Sequence, residues 1–94
     1  MPDSFTFETF QPLIGSSFVI AGSDDALELV EANALGSGPS GSRDPFSLLF
    51  LRRSNAVLLD DTYTLTHPAL GSFEMFIVPV AQDAEGVRYE AIFN

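Results

Sequence analysis

From Gly15 to the end of the chain, hydrophobic side chains return at every second position, the period of an extended strand whose successive residues face opposite sides. Leu27 and Leu29 flank Glu28. Tyr63 and Leu65 alternate with Thr62, Thr64 and Thr66, Phe73, Met75 and Ile77 share one face, and Val87, Tyr89, Ala91 and Phe93 share another. A chain patterned this way has to build a sheet. Turn-forming stretches divide it at Gly22-Ser23-Asp24-Asp25, His67-Pro68-Ala69-Leu70-Gly71 and Gln82-Asp83-Ala84-Glu85-Gly86. Strands are therefore predicted at 17–21, 26–35, 46–52, 62–66, 72–80 and 87–93, with 56–59 either a short strand or a packed loop. At Val30 the apolar set slips by one residue, from Leu27 and Leu29 to Val30, Ala32 and Ala34, which is what a β-bulge does to a strand. Pro79 has no amide to donate, so it belongs at a sheet edge or a bulge.

The opening segment alone follows a helical period. Thr6 is a candidate N-cap, Glu8 suits the positive end of a helix dipole, and Phe7, Phe10 and Ile14 recur at spacings of three and four before Pro12 and Gly15 stop the turn. So short a helix needs tertiary support, so its apolar face must cover the sheet. With 94 residues, 46% hydrophobic and 18% charged, the chain is far from the composition of a disordered segment. Area scaling lets about 64% of its surface be buried, enough for one core. The fold class is mainly β: a single domain over residues 1–94, built as a small antiparallel barrel or curled meander of five or six strands, with one short N-terminal helix over an open end.

Charge removes several functions. Thirteen acidic against four basic residues give a net charge of −9, and such a chain repels the phosphate backbone of nucleic acids and the anionic surface of membranes. The apolar runs 46–51 and 75–81 are far shorter than the roughly 20 residues of a membrane-spanning helix. No basic residue precedes Arg43, so no signal-peptide charge is present, and a cytoplasmic location is expected. Cysteine is absent, which removes disulfides and thiolate metal sites.

No constellation for chemistry assembles. Gly36-Ser37-Gly38-Pro39-Ser40-Gly41 spells a dinucleotide fingerprint, but the pattern after it is a strand, whereas the fingerprint needs a helix N-terminus to hold the pyrophosphate. It reads as a flexible loop. The acidic pairs Asp24-Asp25, Asp60-Asp61 and Asp83 with Glu85 follow no calcium-loop spacing and suit turns. Glu74 and Glu90, facing each other on neighbouring strands, form a carboxylate pair without a cleft to serve. His67, the sole histidine, precedes Pro68 and is assigned to a turn or the surface. No catalytic, cofactor or metal residue follows from the sequence. The alternative is a small hydrolase or ligand-binding barrel using His67 with nearby Ser, Thr or acidic residues.

The more telling feature is surplus apolar surface. The strand at 46–52 is apolar at nearly every position, so it is central or covered on both faces. Leu49, Leu51, Phe76, Val78 and Ile92 cannot all point inward if Phe46, Leu48, Phe50, Phe73, Met75 and Ile77 do. With Arg52 and Arg53, which pair with Asp60 and Asp61 or with an acidic partner, they make a candidate interface for self-association, including a homo-oligomer, or for another protein.

Pro45-Phe46-Ser47-Leu48-Leu49-Phe50, Thr62-Tyr63-Thr64-Leu65-Thr66-His67-Pro68-Ala69-Leu70-Gly71, Phe76-Ile77-Val78-Pro79-Val80 and Tyr89-Glu90-Ala91-Ile92-Phe93-Asn94, together with Phe10-Gln11-Pro12-Leu13-Ile14-Gly15 and Phe18, resemble a family of small bacterial proteins classed as a domain of unknown function. The resemblance covers nearly the whole chain. It implies no established activity and no assigned catalytic residues, and it implies an association with phage-tail-like or tail-collar fibre proteins. The chain departs from that pattern at Asp60-Asp61, where relatives place a glycine-containing turn, and in its glycine-serine loop. The expected role is a non-enzymatic interaction or structural module that binds a protein partner or itself.

Overall fold

The computed structural model describes residues 5–22, 25–36, 45–54 and 61–93. The glycine-serine stretch 37–44 and the segment 56–59, left open between strand and loop, lie outside the described residues, as do Asp24 and Asp60. Helix α1 (Phe7–Phe10) passes into a single 3₁₀ turn (Gln11–Leu13), followed by β1 (Ser17–Ile20), β2 (Ala26–Ala34), β3 (Phe46–Arg52), β4 (Asp61–His67), β5 (Gly71–Asp83) and β6 (Gly86–Phe93). Among the described residues no helix is long and apolar enough to cross a membrane.

The predicted single helix is thus two short pieces. Thr6 is the N-cap, and its amide donates to Thr9 Oγ1 at 3.0 Å. Pro12 then tightens the chain into the 3₁₀ turn, and Ile14 leaves it with an extended backbone. Ile14 consequently misses the face it was expected to share with Phe10 and stands 44% exposed, while Phe10 is fully buried. The i,i+4 spacing holds only while the backbone stays α-helical.

The strands close into a barrel in the order β1-β2-β3-β6-β5-β4, with every neighbouring pair antiparallel. Of the two expected forms, barrel or curled meander, the barrel is the one present, in a strand order that a simple meander would not give. β3 does not pair with β4 but runs against β6 in continuous register from Phe46↔Phe93 to Arg52↔Val87, and β4 returns to β1 through Val19↔Thr66. Two three-stranded meanders, β1 to β3 and β4 to β6, therefore close on each other, and among the described residues no strand is left at an open edge.

Both irregularities anticipated from the sequence are present. The register of β2 on β3 shifts between Leu29 and Glu31, and that of β5 on β6 shifts between Pro79 and Ala81. β5 extends beyond the predicted 72–80 because it serves two partners. Gly71 to Ile77 pair with β4, and Val78 to Asp83 pair with β6. Gln82 and Asp83, expected in a turn, are thereby strand residues, and the connection shrinks to Ala84-Glu85.

Inside the barrel lie Phe18, Leu27, Leu29, Phe50, Leu65, Ile77 and Tyr89, all essentially inaccessible to solvent. One end is stoppered by α1. The Phe10 ring sits 5.3 Å from Phe5, 6.0 Å from Phe46 and 5.8 Å from Phe93, centroid to centroid, and Phe46 stacks on Phe93 at 4.6 Å. The expected cover over an open end is an aromatic plug.

Candidate functional site

Three regions carry the polar or exposed apolar groups singled out by the sequence: His67 at the plugged end, the arginines at the opposite end, and the outer face of β5 and β6.

His67 is not at the surface. The alternation that turns Leu65 inward carries β4 one residue past its predicted end and turns His67 inward too, leaving it 7% exposed with its ring 4.6 Å from that of Phe18. The Ala69 amide donates to Nδ1 at 3.0 Å, so in the neutral ring Nδ1 is the acceptor and the proton sits on Nε2. Nε2–H then donates to Ser16 Oγ at 2.9 Å, and the Ser16 hydroxyl donates to the Leu13 carbonyl at 2.5 Å.

A Ser–His pair that generates a nucleophile needs the opposite direction, with the hydroxyl donating to a free imidazole nitrogen. Here the relay runs from imidazole to serine to carbonyl. It pins the β4–β5 turn to the segment that leads into β1, and the turn role expected of His67 is met by its Nδ1 rather than by exposure. His67→Ala should cost about 2 kcal/mol, since it strands the Ala69 amide and the Ser16 hydroxyl, and Ser16→Ala about 1 kcal/mol. Urea denaturation of the two variants, at unchanged m-value, checks the ratio.

At the opposite end Arg52 is 8% exposed, far from the accessible interface residue it was expected to be. It pairs with Asp25, which immediately precedes the neighbouring strand β2, while Asp60, the other expected partner besides Asp61, lies outside the described residues. The hydrogen bond that this guanidinium donates to Asp25 raises its pKa, burial opposes that, and Tyr89 adds to the rise, so Arg52 stays charged. Arg53 binds Glu28 at 2.9 Å and reaches Glu85 at 4.0 Å. Arg88 binds Asp83 as well as Glu85, the latter at 2.8 Å, and the hydrogen bond to Glu85 raises its pKa most. Asp83 and Glu85, weighed as metal ligands, converge on this arginine.

A cleft of about 250 Å³ opens beside Arg52 and Arg53, but Asp25 and Glu28 line it too, so its fixed charges cancel. Among the described residues no group of three His, Asp or Glu side chains is placed to hold a metal ion. The carboxylate pair is also corrected, because Glu74 lies opposite Thr64, while Glu90 lies between Val78 and Leu49.

The outer face divides the expected interface residues. Leu51, with Glu28 and Arg88 as its cross-strand neighbours, is 3% exposed and is core-like rather than available. Leu49 is half-buried between Glu31 and Glu90. Phe76, Val78 and Ile92 are exposed by 53%, 36% and 56%. Val78 faces Glu90 across the β5–β6 ladder, so Phe76 and Ile92, each two residues further on, share its outward face. Val80 is 51% exposed and was missed. Its signal was present in the period-2 continuation from Phe76 through Val78, but the strand was ended at that position.

Among the described residues the exposed apolar side chains that gather on one face form an outward strip on β5 and β6, whereas Ile14, Val19 and Leu35 are exposed on other elements. A family model described as a domain of unknown function, DUF6916, matches residues 5–93. No curated protein and no solved structure matches the chain. With that match spanning all six strands and the aromatic plug, the chain belongs to the DUF6916 family of domains of unknown function.

Proposed function

We propose that this domain is a non-enzymatic protein-docking module whose contact surface is the outer face of β5 and β6. The observation that carries this reading is the side-by-side exposure of Phe76, Val78 and Ile92 on a barrel whose interior is already filled by its own side chains. Apolar groups grouped on one sheet face mark interaction surfaces more often than scattered ones do. The hydrogen-bond direction at His67 and the cancelled charge of the arginine cleft favour a binding role over chemistry at either place.

Phe76→Glu is the direct test. With Phe76 more than half exposed, the variant should fold and keep its stability within about 1 kcal/mol. Light scattering and affinity capture from host lysate should then show complexes formed by the natural chain and lost by the variant. Identical captures from both chains would remove the strip from the interface, and a variant unable to fold would place Phe76 in the core. Residence in a tail-like fibre assembly is the finer form of this reading. It rests on the resemblance of the sequence motifs, and co-purification with fibre proteins of the host checks it.

A further inference from the structure

We propose that the strip formed by Phe76, Val78 and Ile92 docks a protein partner whose apolar contact is bordered by lysine or arginine side chains; this inference rests on the docking role proposed above. It comes from how charge is distributed around the barrel. Arg52, Arg53 and Arg88 are all at the end opposite the plug, and each is matched there by Asp25, Glu28, Asp83 or Glu85. At that rim three arginines meet four carboxylates, so most of its charge is paired. Beside the strip the ionised groups left without an ion pair are carboxylates, because Arg88, the arginine on the same outward face of β6, is already held by Asp83 and Glu85. Glu74 precedes Phe76 on the same outward face of β5, and Glu90 sits between Val78 and Leu49, with Glu31 beyond Leu49 on β2.

Among the described residues no cation lies within ion-pair distance of Glu74 or Glu90. Glu31 accepts only a long bond from the Asn33 amide, at 3.3 Å.

An apolar contact closed over this strip must take water from the carboxylates beside it. Against a neutral surface that desolvation is uncompensated. A second copy of the chain would bring its own Glu74 and Glu90 to the same contact and add like-charge repulsion between two chains of net charge −9. A partner with Lys or Arg around an apolar centre removes both costs, and the field of the acidic face would speed its approach at low salt. Charge complementarity thus selects a basic heterologous partner over self-association.

The test uses the whole domain and two soluble β-hairpin peptides, each with leucines on one face, one bordered by lysines and the other by glutamates. The lysine hairpin should bind, with amide shift changes confined to β5, β6 and the adjoining part of β3, and more weakly as salt is raised. The glutamate hairpin should bind at least about tenfold more weakly, and Phe76→Ser and the double change Glu74→Gln with Glu90→Gln should each weaken the lysine hairpin by about tenfold. Glu8→Gln, at an exposed position of α1, should leave it unchanged.

Equal binding of both hairpins, lost in Phe76→Ser, would keep the docking role and overturn the basic partner. Lysine-hairpin binding indifferent to Phe76→Ser would be general attraction to an acidic protein and would overturn both. A dimer of the natural chain that Phe76→Ser dissolves would make a second copy the occupant and overturn the basic partner.

Discussion

Replacing Gly86 with alanine is expected to cost about 3 kcal/mol or more, a large share of the roughly 5–15 kcal/mol that holds a domain of this size together. Gly86 opens β6 at φ +141°, a conformation that side chains rarely adopt. A Cβ there would lie 2.1 Å from the Arg52 carbonyl oxygen and 2.9 Å from Arg53 Cα. Both obstacles are backbone, so no rotamer change relieves them. β6 would have to move away from the end of β3, where Arg52 pairs with Val87 in the ladder and holds Asp25 beside the neighbouring strand β2. Gly71 supplies the control. Its φ is +77° but nothing lies within 4 Å of its added Cβ, so Gly71→Ala should cost only about 1 kcal/mol, the conformational part. Thermal melts should separate the pair by roughly 10 °C, at about 4–8 °C per kcal/mol. Equal losses would show that the close approach to β3 contributes nothing.

Phe10→Ala should cost about 3–5 kcal/mol, the range for a fully buried aromatic side chain. The ring is the centre of the plug. It is inaccessible to solvent and lies within 6.4 Å, centroid to centroid, of Phe5, Phe18, Phe46, Phe73 and Phe93. Those rings come from the segment before α1 and from β1, β3, β5 and β6, so removing Phe10 opens a void that no single neighbour can fill. Phe10→Leu, which keeps an apolar group at the site, should recover part of the loss. Denaturant midpoints at constant slope measure both. A small effect for Phe10→Ala would mean that the barrel end closes without α1. Phe7, half-buried on the same short helix, should respond far less.

Much of this architecture was legible in the alternation itself. Period-2 patterning decides which face each strand residue occupies, so the inward sets Phe73-Met75-Ile77 and Val87-Tyr89-Ala91 follow directly, as does the slip in β2 at Val30. Pro79 announced its bulge for the same local reason, since a residue without an amide cannot complete the ladder. The helical period of Phe7 and Phe10 likewise foretold a short apolar cap, although Pro12 ended its α-helical geometry before Ile14 could join.

Properties that depend on which strands become neighbours were not legible. Nothing in β3 says that it pairs with β6 rather than β4, because any antiparallel partner satisfies its amides and carbonyls equally. That choice is made when two meanders close and leave no edge. Closure in turn decides the fate of residues whose facing was already known. Leu51 and Phe76 both point outward, yet Leu51 is sequestered with Glu28 and Arg88 beside it, while Phe76 has the short Thr62 across the ladder and stays exposed. Arg52 finds Asp25 immediately before the neighbouring strand β2, and His67 finds Ser16, partners separated from them by 27 and 51 positions. By itself the sequence determined a β-rich, strongly acidic domain with a short aromatic helix and more apolar strand surface than one inner face can hold. The tertiary structure decided the strand order, the burial of Leu51, Arg52 and His67, and the placement of the remaining apolar strip beside uncompensated carboxylates, because these depend on distant segments meeting, and local periodicity carries no information about that.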